Sequence, residues 1–393
     1  MSGSITPRPP RLLFLQTQAE MAGAQEVSRL LGEQLSQQGA DGEPACAVHH
    51  LFLYKKTSGC DHFPNVRFAA EERPTNMRSS LGLLKNLISA IRDIRPDVLL
   101  TFQHYGNVVG APVGRLLGVP HIIANHVSAP LTINRAVRAL DRVIGLSGCY
   151  DTITVNSHAT WRDYSSYPTR YARRLVHIPH GFAQRMALLQ KPDARTKFSL
   201  PQNVPLIGTV ARLHPLKQID LAIKTLASLS EVHLAVAGQG PDRPRLDVMA
   251  AELDVADRVH FIGEIPPSEI GTFLSSLDVF VFPSAAETFG LAAVEAAQAG
   301  VPVIANDLPV LREVLEVDQS PCAVFIDASD TASFAAAIDQ LLTDDRLAHD
   351  LSQRGRRLSE RYSLDAMVAG YRRLINGKRN DNQRQNDDPR IRA

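Results

Sequence analysis

Short apolar runs of strand length alternate with amphipathic stretches of helical length along almost the whole chain. This alternation limits the possible fold more than any other feature of the sequence. One full repeat consists of a strand over 206–210, a helix over 218–229 and a strand over 232–237. Strand–helix–strand units of this kind form parallel sheets that helices cover. The sequence therefore predicts an α/β fold.

The alternation is interrupted over residues 183–204, where breakers such as Lys191-Pro192-Asp193 occur. We interpret this stretch as the connection between two domains, which a chain of 393 residues accommodates. The predicted domains are 1–185 and 186–363, two Rossmann-like halves with a cleft between them. Ligands of open parallel sheets bind at the carboxyl ends of the strands. The polar residues 378–393 are expected to form a disordered tail.

The same patterns predict the remaining elements. Strands are expected at 11–16, 98–102, 119–125, 152–156, 175–178, 259–262, 279–283 and 301–305. Helices are expected at 24–37, 80–94, 108–117, 136–146, 244–252, 268–276, 291–299, 330–342 and 347–362. The segment between 40 and 80 is polar, and we predict it to be irregular.

Composition narrows the function classes. A hydrophobic content of 44% and a charged content of 21% are typical of globular proteins. No apolar run approaches the ~18–20 residues of a membrane span, and residues 1–11 lack the apolar core of a signal peptide. The four cysteines form no CxxC pair, which argues against zinc and redox motifs. We expect a cytoplasmic protein with no metal and no nucleic-acid partner.

Charge is distributed unevenly along the chain. Residues 1–190 hold 20 Lys and Arg against 13 Asp and Glu, whereas the rest holds 22 against 28. A basic first domain suits an anionic substrate or a membrane surface. An uneven distribution of solvated charge is also common in proteins without such a partner, so both interpretations stay open.

The most informative segment is Glu287-Thr288-Phe289-Gly290-Leu291-Ala292-Ala293-Val294-Glu295, which follows a predicted strand and opens a predicted helix. Gly290 and Leu291 therefore fall at a helix N-terminus, where unpaired N–H groups favour an anion. Carboxylates at Glu287 and Glu295 suit the paired hydroxyls of a sugar or ribose. Taken alone, two glutamates at this spacing are more typical of solvated helix charges.

A second segment, Arg212-Leu213-His214-Pro215-Leu216-Lys217, projects from a predicted strand-to-helix loop. The planar guanidinium of Arg212 and the compact charge of Lys217 both suit a diphosphate. Positive charge in that place would stabilise a diphosphate as it leaves a sugar. When the pair is considered alone, a surface Arg and a surface Lys are the better explanation.

Glycines and histidines mark other strand ends. Gly238 and Gly240 follow a strand, where they allow a backbone to approach a ligand or make a plain tight turn. Gly23 lies in the loop after the first strand. His104, His126 and His180 each follow a predicted strand, where a neutral imidazole can donate or accept near pH 7. A structural hydrogen bond is the alternative for each histidine.

Together and in this order, these segments resemble the retaining glycosyltransferases of family 4, which have the two-domain GT-B fold. The resemblance covers residues 11–376. Its most specific part is the second half: Arg-x4-Lys after a strand, a Gly-x-Gly-Pro turn, and Glu-x7-Glu with Phe-Gly-Leu between the glutamates. The resemblance also implies that residues 364–377 form a helix that returns to the first domain.

The resemblance implies a role for each matching residue. Arg212 and Lys217 would hold the donor diphosphate, Glu287 would contact the hydroxyls of the transferred sugar, and His126 would lie beside that sugar; these four are the catalytic set. The implied donor-binding set is Gly23, Gly238, Gly240, Phe289, Gly290, Leu291 and Glu295, with Glu295 on the ribose. On the acceptor side we place His104 and His180.

The chain departs from the family pattern in three places. The paired glycines of the first loop are Ala22-Gly23, and the usual Asn-Gly-Val-Asp is His180-Gly181-Phe182-Ala183. The glycine that usually follows the second-domain lysine is Gln218. The first two departures bear on acceptor binding and domain closure. None of them removes a residue that the chemistry needs.

The implied reaction is retaining transfer of a hexosyl unit from a UDP- or GDP-sugar to a hydroxyl, without a metal cofactor. Polysaccharide or glycoconjugate biosynthesis is the expected setting. A lipid-linked glycan acceptor at the inner face of the membrane suits the basic first domain and the helix at 80–94, and a soluble acceptor is compatible with both. The competing interpretations are a sugar-nucleotide epimerase, a non-catalytic nucleotide-sugar binding protein and, less favoured because GxGxxG is missing, a nicotinamide-dependent dehydrogenase.

Overall fold

A computed structural model describes residues 8–38, 45–128, 132–182 and 187–377. They divide into two units: unit 1 holds the chain up to Phe182 and again from Ser363, and unit 2 holds the chain between these residues. The predicted domain boundary at 185/186 lies outside the described residues. So does the predicted tail 378–393.

Unit 1 is built on a parallel sheet of seven strands in the order β3-β2-β1-β4-β5-β6-β7. The strands are β1 Arg11–Ala19, β2 Ala47–Lys55, β3 Val66–Phe68, β4 Val98–Phe102, β5 His121–His126, β6 Thr152–Val155 and β7 Leu175–His177. Every residue of β4 is buried, as expected for a central strand that is covered on both faces. The register pairs Leu13 of β1 with Leu99 of β4.

Helices follow most strands of unit 1. They are α1 Gly23–Leu35, α2 Met77–Ile94, α3 Gln103–Tyr105, α4 Ala111–Leu116, α5 Arg135–Ser147, α6 His158–Ser165 and α7 Thr169–Ala172. A π-helical turn, Gly106–Gly110, joins α3 to α4. The single helix predicted at 108–117 is therefore wrong in form, because the chain turns into α3 directly after β4 and winds more loosely before α4.

The prediction of irregular structure between 40 and 80 is also wrong, because β2 and β3 lie there. β2 carries two histidines, and His50 is fully buried in the sheet, where it packs edge-on against Phe14 and Phe63. Because His50 is a polar residue type inside an apolar run, the sequence pattern did not indicate strand β2. β3 has only three residues, which is too short for an alternating pattern of apolar and polar residues to be recognised.

Unit 2 contains a second parallel sheet, in the order β10-β9-β8-β11-β12-β15, and a small antiparallel pair, β13 with β14. The strands are β8 Leu206–Val210, β9 His233–Ala237, β10 Val259–Gly263, β11 Val279–Phe282, β12 Val303–Asn306, β13 Glu316–Val317, β14 Ser320–Pro321 and β15 Val324–Ile326. All four residues of the central strand β11 are buried. The carboxyl ends of the parallel strands share one edge of the sheet, which the following loops occupy.

The helices of unit 2 begin inside the stretch that we predicted as a connection. They are α8 Lys191–Lys197, α9 Ile219–Leu226, α10 Arg243–Glu252, α11 Ile270–Ser275, α12 Leu291–Gln298, α13 Pro309–Val314, α14 Thr331–Thr343, α15 Asp345–Arg356 and α16 Leu358–Arg361. Pro192 stands in the first turn of α8, where its missing N–H costs no helical hydrogen bond. The proline therefore starts a helix where we had interpreted it as a break.

The last described helix, α17 Leu364–Ile375, belongs to unit 1. Arg372 of α17 donates to the carbonyl oxygens of Gln34 and Gln37, at 3.1 and 2.8 Å, and Tyr371 donates to Asn125 Oδ1 at 2.7 Å. These bonds tie the end of the described chain to α1 and β5. Within the described residues, no helix combines the length and the apolar character that crossing a membrane requires.

Candidate functional site

The loops after β8 and β11 of unit 2 bring two sequence-predicted residues into contact. Lys217 Nζ lies 2.5 Å from Glu287 Oε1, and the backbone N–H of Ala285 donates to Leu216 O at 2.9 Å. The side chains of Lys217 and Glu287 keep 27% and 12% of their surface exposed. The structure thus joins the two motifs at one edge of the sheet, with an ammonium and a carboxylate that both reach the surface.

Local backbone structure places Lys217. A 3-10 turn, Pro215–Lys217, follows His214, whose Nδ1 accepts the N–H of Leu216 at 3.3 Å. Gln218 then adopts a left-handed conformation, with φ 50°, before α9 begins. This is the position where the resembling family usually has glycine, because a left-handed residue is unfavourable for a side chain with a Cβ. Gln218 retains that conformation without the glycine.

Gly238 and Gly240 pack against the loop that carries Arg212. A Cβ on Gly238, whose φ is 136°, would lie 2.0 Å from Ala211 O, and one on Gly240 would lie 2.2 Å from Leu213 O. Leu213 N also donates to Gln239 O at 3.0 Å. The sequence left two roles open for these glycines, close approach to a ligand and a plain tight turn. The backbone that approaches them belongs to residues 211–213, so both glycines set the position of Arg212, which is half-buried.

The N-terminus of α12 forms the third part of this edge. Gly290 precedes the helix with φ 82°, and a Cβ there would lie 2.5 Å from Leu311 Cδ2. Phe289 is buried and packs edge-on against Tyr362, which fixes the turn. Leu291 is the first helical residue, and Glu295 lies about one turn further on, half-buried. The first N–H groups of a helix have no intrahelical acceptor, so the start of α12, which follows Glu287 closely in the chain, offers hydrogen-bond donors.

In unit 1, the predicted residues lie at the corresponding edge of the sheet but differ in exposure. Gly23 is the exposed first residue of α1. His104 lies in α3, directly after Gln103, which has φ 64°. Burial lowers the pKa of His104, and its Nδ1 has no hydrogen-bond partner within the described ranges. A left-handed residue followed by a π-helical turn is unusual backbone of the kind that often marks functional sites.

His126, the last residue of β5, is only 3% exposed, and burial lowers its pKa. Its Nε2 lies 3.1 Å from the hydroxyl of Tyr171 and 3.7 Å from Asp141 Oδ1. Tyr164 packs against the imidazole with ring centroids 4.4 Å apart. The predicted catalytic histidine is thus held in a buried pocket of phenols and one carboxylate.

His180 is buried too. Its Nε2 lies 2.8 Å from Asn156 Nδ2, and because an amide nitrogen only donates, the imidazole nitrogen accepts. Burial lowers the pKa of His180 to about 4. The glycine after it has a packing role, since a Cβ on Gly181 would lie 2.1 Å from Ser363 O, where the chain re-enters unit 1.

The sequence patterns did not predict four polar residues that lie around the end of β5 in unit 1: Asp141, Tyr171, Asn125 and Tyr371. Asn125 Oδ1 accepts from the hydroxyls of Thr154 and Tyr371, and its Nδ2 donates to Thr101 O at 3.0 Å. The partners are far apart in sequence, and no local spacing signals them. A polar residue at the end of the buried strand β5 was the available hint for Asn125.

Comparisons with known proteins show what this chain is similar to. Residues 190–358, which include nearly all of unit 2, match the family described as glycosyl transferases group 1. A D-inositol 3-phosphate glycosyltransferase of Thermomonospora curvata is 31% identical over 301 residues, which cover 69% of this chain and 69% of the relative. The chain belongs to the glycosyl transferases group 1 family.

Other proteins are similar to this group 1 family member over smaller or larger parts of its chain. The O-antigen biosynthesis glycosyltransferase WclY of Escherichia coli is 30% identical over 188 residues, 48% of this chain and 51% of the relative. The chain thus spans about half the length of several curated relatives. The structure of Anabaena Alr3699/HepE in complex with UDP-glucose superposes with a TM-score of 0.79 at 17% identity, covering 93% of this chain and 99% of that chain. This likeness shows the GT-B fold class, with two Rossmann-like domains.

Proposed function

We propose that this group 1 family member transfers a hexosyl unit from a nucleotide-diphospho-sugar to a hydroxyl acceptor, with retention of anomeric configuration and without a metal. The observation that carries the proposal is the contact between Lys217 and Glu287 at the carboxyl edge of unit 2. The contact brings together a cation that would suit a diphosphate and a carboxylate that would suit sugar hydroxyls, and this pairing supports the proposal. The helix N-terminus at Leu291 lies directly after the same loop.

In the proposed reaction, the bond between the anomeric carbon and the diphosphate oxygen breaks, and a bond from the acceptor oxygen to the same carbon forms on the same face. The acceptor proton passes to the departing phosphate oxygen, so no protein nucleophile is needed. Arg212 and Lys217 stabilise the negative charge that grows on the diphosphate. Fixed cations in this place supply the electrostatic stabilisation that a metal ion gives in other transferases.

The remaining predicted residues fit around this centre. In our proposal the amides of Phe289, Gly290 and Leu291 line the sugar and phosphate, and Glu295 accepts from the ribose hydroxyls. Gly23 of unit 1 approaches the phosphates and His126 the sugar, as the family resemblance implies. His104 and His180 stay assigned to the acceptor side.

Relatives narrow the choice of donor and setting. The HepE structure contains UDP-glucose, which favours a UDP-sugar as the donor. The relative in Escherichia coli is named for O-antigen biosynthesis, which favours the assembly of a polysaccharide or glycoconjugate. We therefore place UDP-sugars first and GDP-sugars second.

The test is a thermal-shift screen of the full chain against UDP, GDP, ADP and dTDP and their common sugar conjugates, followed by product analysis. We expect one nucleotide to raise the melting temperature most, and its sugar to appear on an acceptor with the donor's anomeric configuration, in EDTA as in buffer. Epimerised nucleotide-sugar would replace the transferase with an epimerase. Binding without turnover on any acceptor would favour a non-catalytic binding protein, and activity that EDTA abolishes and Mg²⁺ restores would overturn metal independence.

We also propose that unit 1 binds the inner face of an anionic membrane, where a lipid-linked acceptor would be found, through α2. This helix buries Leu87, Ala90, Ile91 and Ile94 in the unit. Its outer side nevertheless exposes Met77, Leu81 and Leu84, by 76%, 59% and 37%. Positions 77, 81 and 84 share one row of the helix, so they form a second apolar stripe, which a helix with only solvent outside would not need.

A basic row lies beside this apolar stripe. Arg78, Lys85 and Arg92 recur every seven residues and are all exposed. Asp93 is the acidic residue of α2, and it lies 3.5 Å from the guanidinium of Arg67. An apolar stripe flanked by cations is the pattern of helices that lie in the interface of an anionic bilayer, where each cation contributes about 1 kcal/mol.

Vesicle flotation tests this surface. We expect binding to phosphatidylglycerol-containing vesicles and little binding to phosphatidylcholine alone, with a loss of about tenfold or more in Leu81→Ser/Leu84→Ser. Leu116→Ser is the matched control, because Leu116 is 86% exposed but lies on a different helix, α4. Equal losses in both variants, or equal binding to both vesicle types, would contradict the proposal.

A further inference from the structure

Asp141 is a buried carboxylate on α5 of unit 1, only 4% exposed. Each of its oxygens accepts from a different phenol: Oδ1 from Tyr150 at 2.8 Å and Oδ2 from Tyr171 at 2.7 Å. A buried carboxylate is costly unless its oxygens accept hydrogen bonds, and the two phenols meet that requirement here. The group it faces is the imidazole of His126.

The direction of the hydrogen bonds follows from counting protons. A phenol has one proton, and a carboxylate only accepts, so Tyr171 gives its proton to Asp141. The oxygen of Tyr171 can then only accept from the nitrogen 3.1 Å away, which is His126 Nε2. Nε2 therefore carries the ring proton, and Asp141 Oδ1, at 3.7 Å, is close enough to favour that proton electrostatically.

The titration behaviour of the neighbours agrees with this pattern. Burial and Asp141 together hold the pKa values of Tyr150 and Tyr171 well above the usual value of 10, so both phenols stay protonated. Burial lowers the pKa of His126, so its ring is neutral near pH 7. In a neutral ring with its proton on Nε2, Nδ1 holds a lone pair, and within the described residues this Nδ1 makes no hydrogen bond.

We infer that Asp141 and Tyr171 are positioning residues that fix His126 as the Nε2–H tautomer, so that Nδ1 accepts a hydrogen bond from a hydroxyl of the transferred sugar. This inference depends on the proposed function, which places His126 beside the sugar. The ligand class is a hexosyl group with a free hydroxyl at the position that faces Nδ1. A donor that lacks this hydroxyl cannot donate a hydrogen bond to Nδ1, and we expect it to react more slowly.

Tyr171→Phe and Tyr150→Phe form a matched pair. Both remove a buried phenol that donates to Asp141, but only Tyr171 bonds to His126. Nitrogen-15 spectra of the imidazoles, with His126 assigned by the signals that disappear in His126→Gln, report the tautomer directly. We expect Nε2–H in the wild type and in Tyr150→Phe, and a mixture of tautomers in Tyr171→Phe.

Kinetics give the second readout. We expect kcat/KM for transfer to fall about tenfold in Tyr171→Phe, the scale of one lost hydrogen bond, and less than about twofold in Tyr150→Phe, with similar losses in melting temperature. A purely structural role for Tyr171 predicts equal kinetic losses in both variants and overturns the inference.

The wild-type spectrum decides the tautomer even where a variant fails to fold. An Nδ1–H tautomer there would refute the inference while leaving the transferase proposal intact. If the protein transfers no sugar at all, the proposed function fails, and the spectrum still shows whether Asp141 and Tyr171 fix the ring.

Discussion

Both units place polar residues at the carboxyl edge of a parallel sheet, but they do so with different chemistry. The edge of unit 2 has full charges that reach the surface, with Lys217 and Glu287 27% and 12% exposed. The edge of unit 1 has buried, neutral imidazoles: His126 is 3% exposed and His180 is 5% exposed. Charges in partial contact with water can meet a charged leaving group, whereas buried neutral groups select by hydrogen-bond direction. The contrast supports the proposal that Arg212 and Lys217 of unit 2 bind the diphosphate and that the histidines of unit 1 form hydrogen bonds with hydroxyls.

The largest effect that this comparison predicts is in unit 2. Lys217→Ala should reduce transfer by about 100-fold or more, because in the proposed reaction it removes a cation that stabilises the charge developing on the diphosphate. The matched control is Lys224→Ala, which breaks another lysine–carboxylate pair of unit 2, with Asp220; Lys224 is the exposed residue of α9. Steady-state kinetics on both variants, with melting temperatures, measure the difference.

Glu287→Ala should show a comparable loss, since it removes the other half of the contact. Wild-type rates in Lys217→Ala and Glu287→Ala would contradict the assignment of this edge to catalysis. A loss in Lys224→Ala as large as that in Lys217→Ala would mean that general destabilisation is responsible.

The next effect concerns how unit 2 holds its charges in place. Gly240→Ala should destabilise unit 2 by about 2–3 kcal/mol, because the new Cβ would meet backbone atoms of Leu213 that have little room to move. The displaced loop carries Arg212, so donor affinity should fall as well. Gly82→Ala on α2 of unit 1 is the control, since a Cβ there meets nothing within 4 Å and a helical alanine stabilises by up to about 1 kcal/mol. Chemical denaturation of both variants gives the two values, and equal effects would show that the close approach is not constraining.

The sequence was more informative for unit 2 than for unit 1, and the reason is physical. The residues of the unit 2 edge lie on loops directly after apolar strands, so local spacing places Lys217 and Glu287 at the same edge. In unit 1, His126 depends on Asp141, 15 positions away on α5, and on Tyr171, which is 45 positions away. No local pattern identifies such partners, because the fold alone brings them together.

The same distinction explains the secondary structure. The strands at Val98–Phe102 and Leu206–Val210 are short, mostly apolar runs, and the structure confirms their predicted bounds. β2 was missed because the burial of His50 comes from tertiary contacts with Phe14 and Phe63, which the sequence does not display. α8 was missed because Pro192 has opposite meanings in the first turn and in the middle of a helix.

The smallest effect that we expect from a single residue is the response of His180 in unit 1 to acid. His180 has a folded pKa of about 4 against 6.5 for an unperturbed histidine. Between pH 6.5 and pH 4 the His180 imidazole is protonated in the unfolded chain but neutral in the folded protein. The free energy of unfolding therefore falls as the pH is lowered from 6.5 towards 4, and His180 does not change it above that window. From pH 7 to pH 5 the loss from His180 alone is roughly 2 kcal/mol. His50, with a folded pKa of about 4, and the lowered pKa of His126 act in the same direction.

The chain contains one tryptophan, Trp161, on α6 of unit 1, so tryptophan fluorescence reports the unfolding of that unit while circular dichroism reports both. In unit 2, the histidines whose pKa is lowered are His233 and His260, and both are partly exposed. From pH 7 to pH 5, the melting temperature of unit 1, measured by fluorescence, should therefore fall by more than that of unit 2, which is the part of the circular-dichroism transition that fluorescence does not report. His180→Asn should reduce the fall in unit 1. Equal shifts by both probes would show that the two units unfold together or that unit 1 does not bury its histidines in neutral form, and the contrast between a charged edge and a neutral edge would then fail.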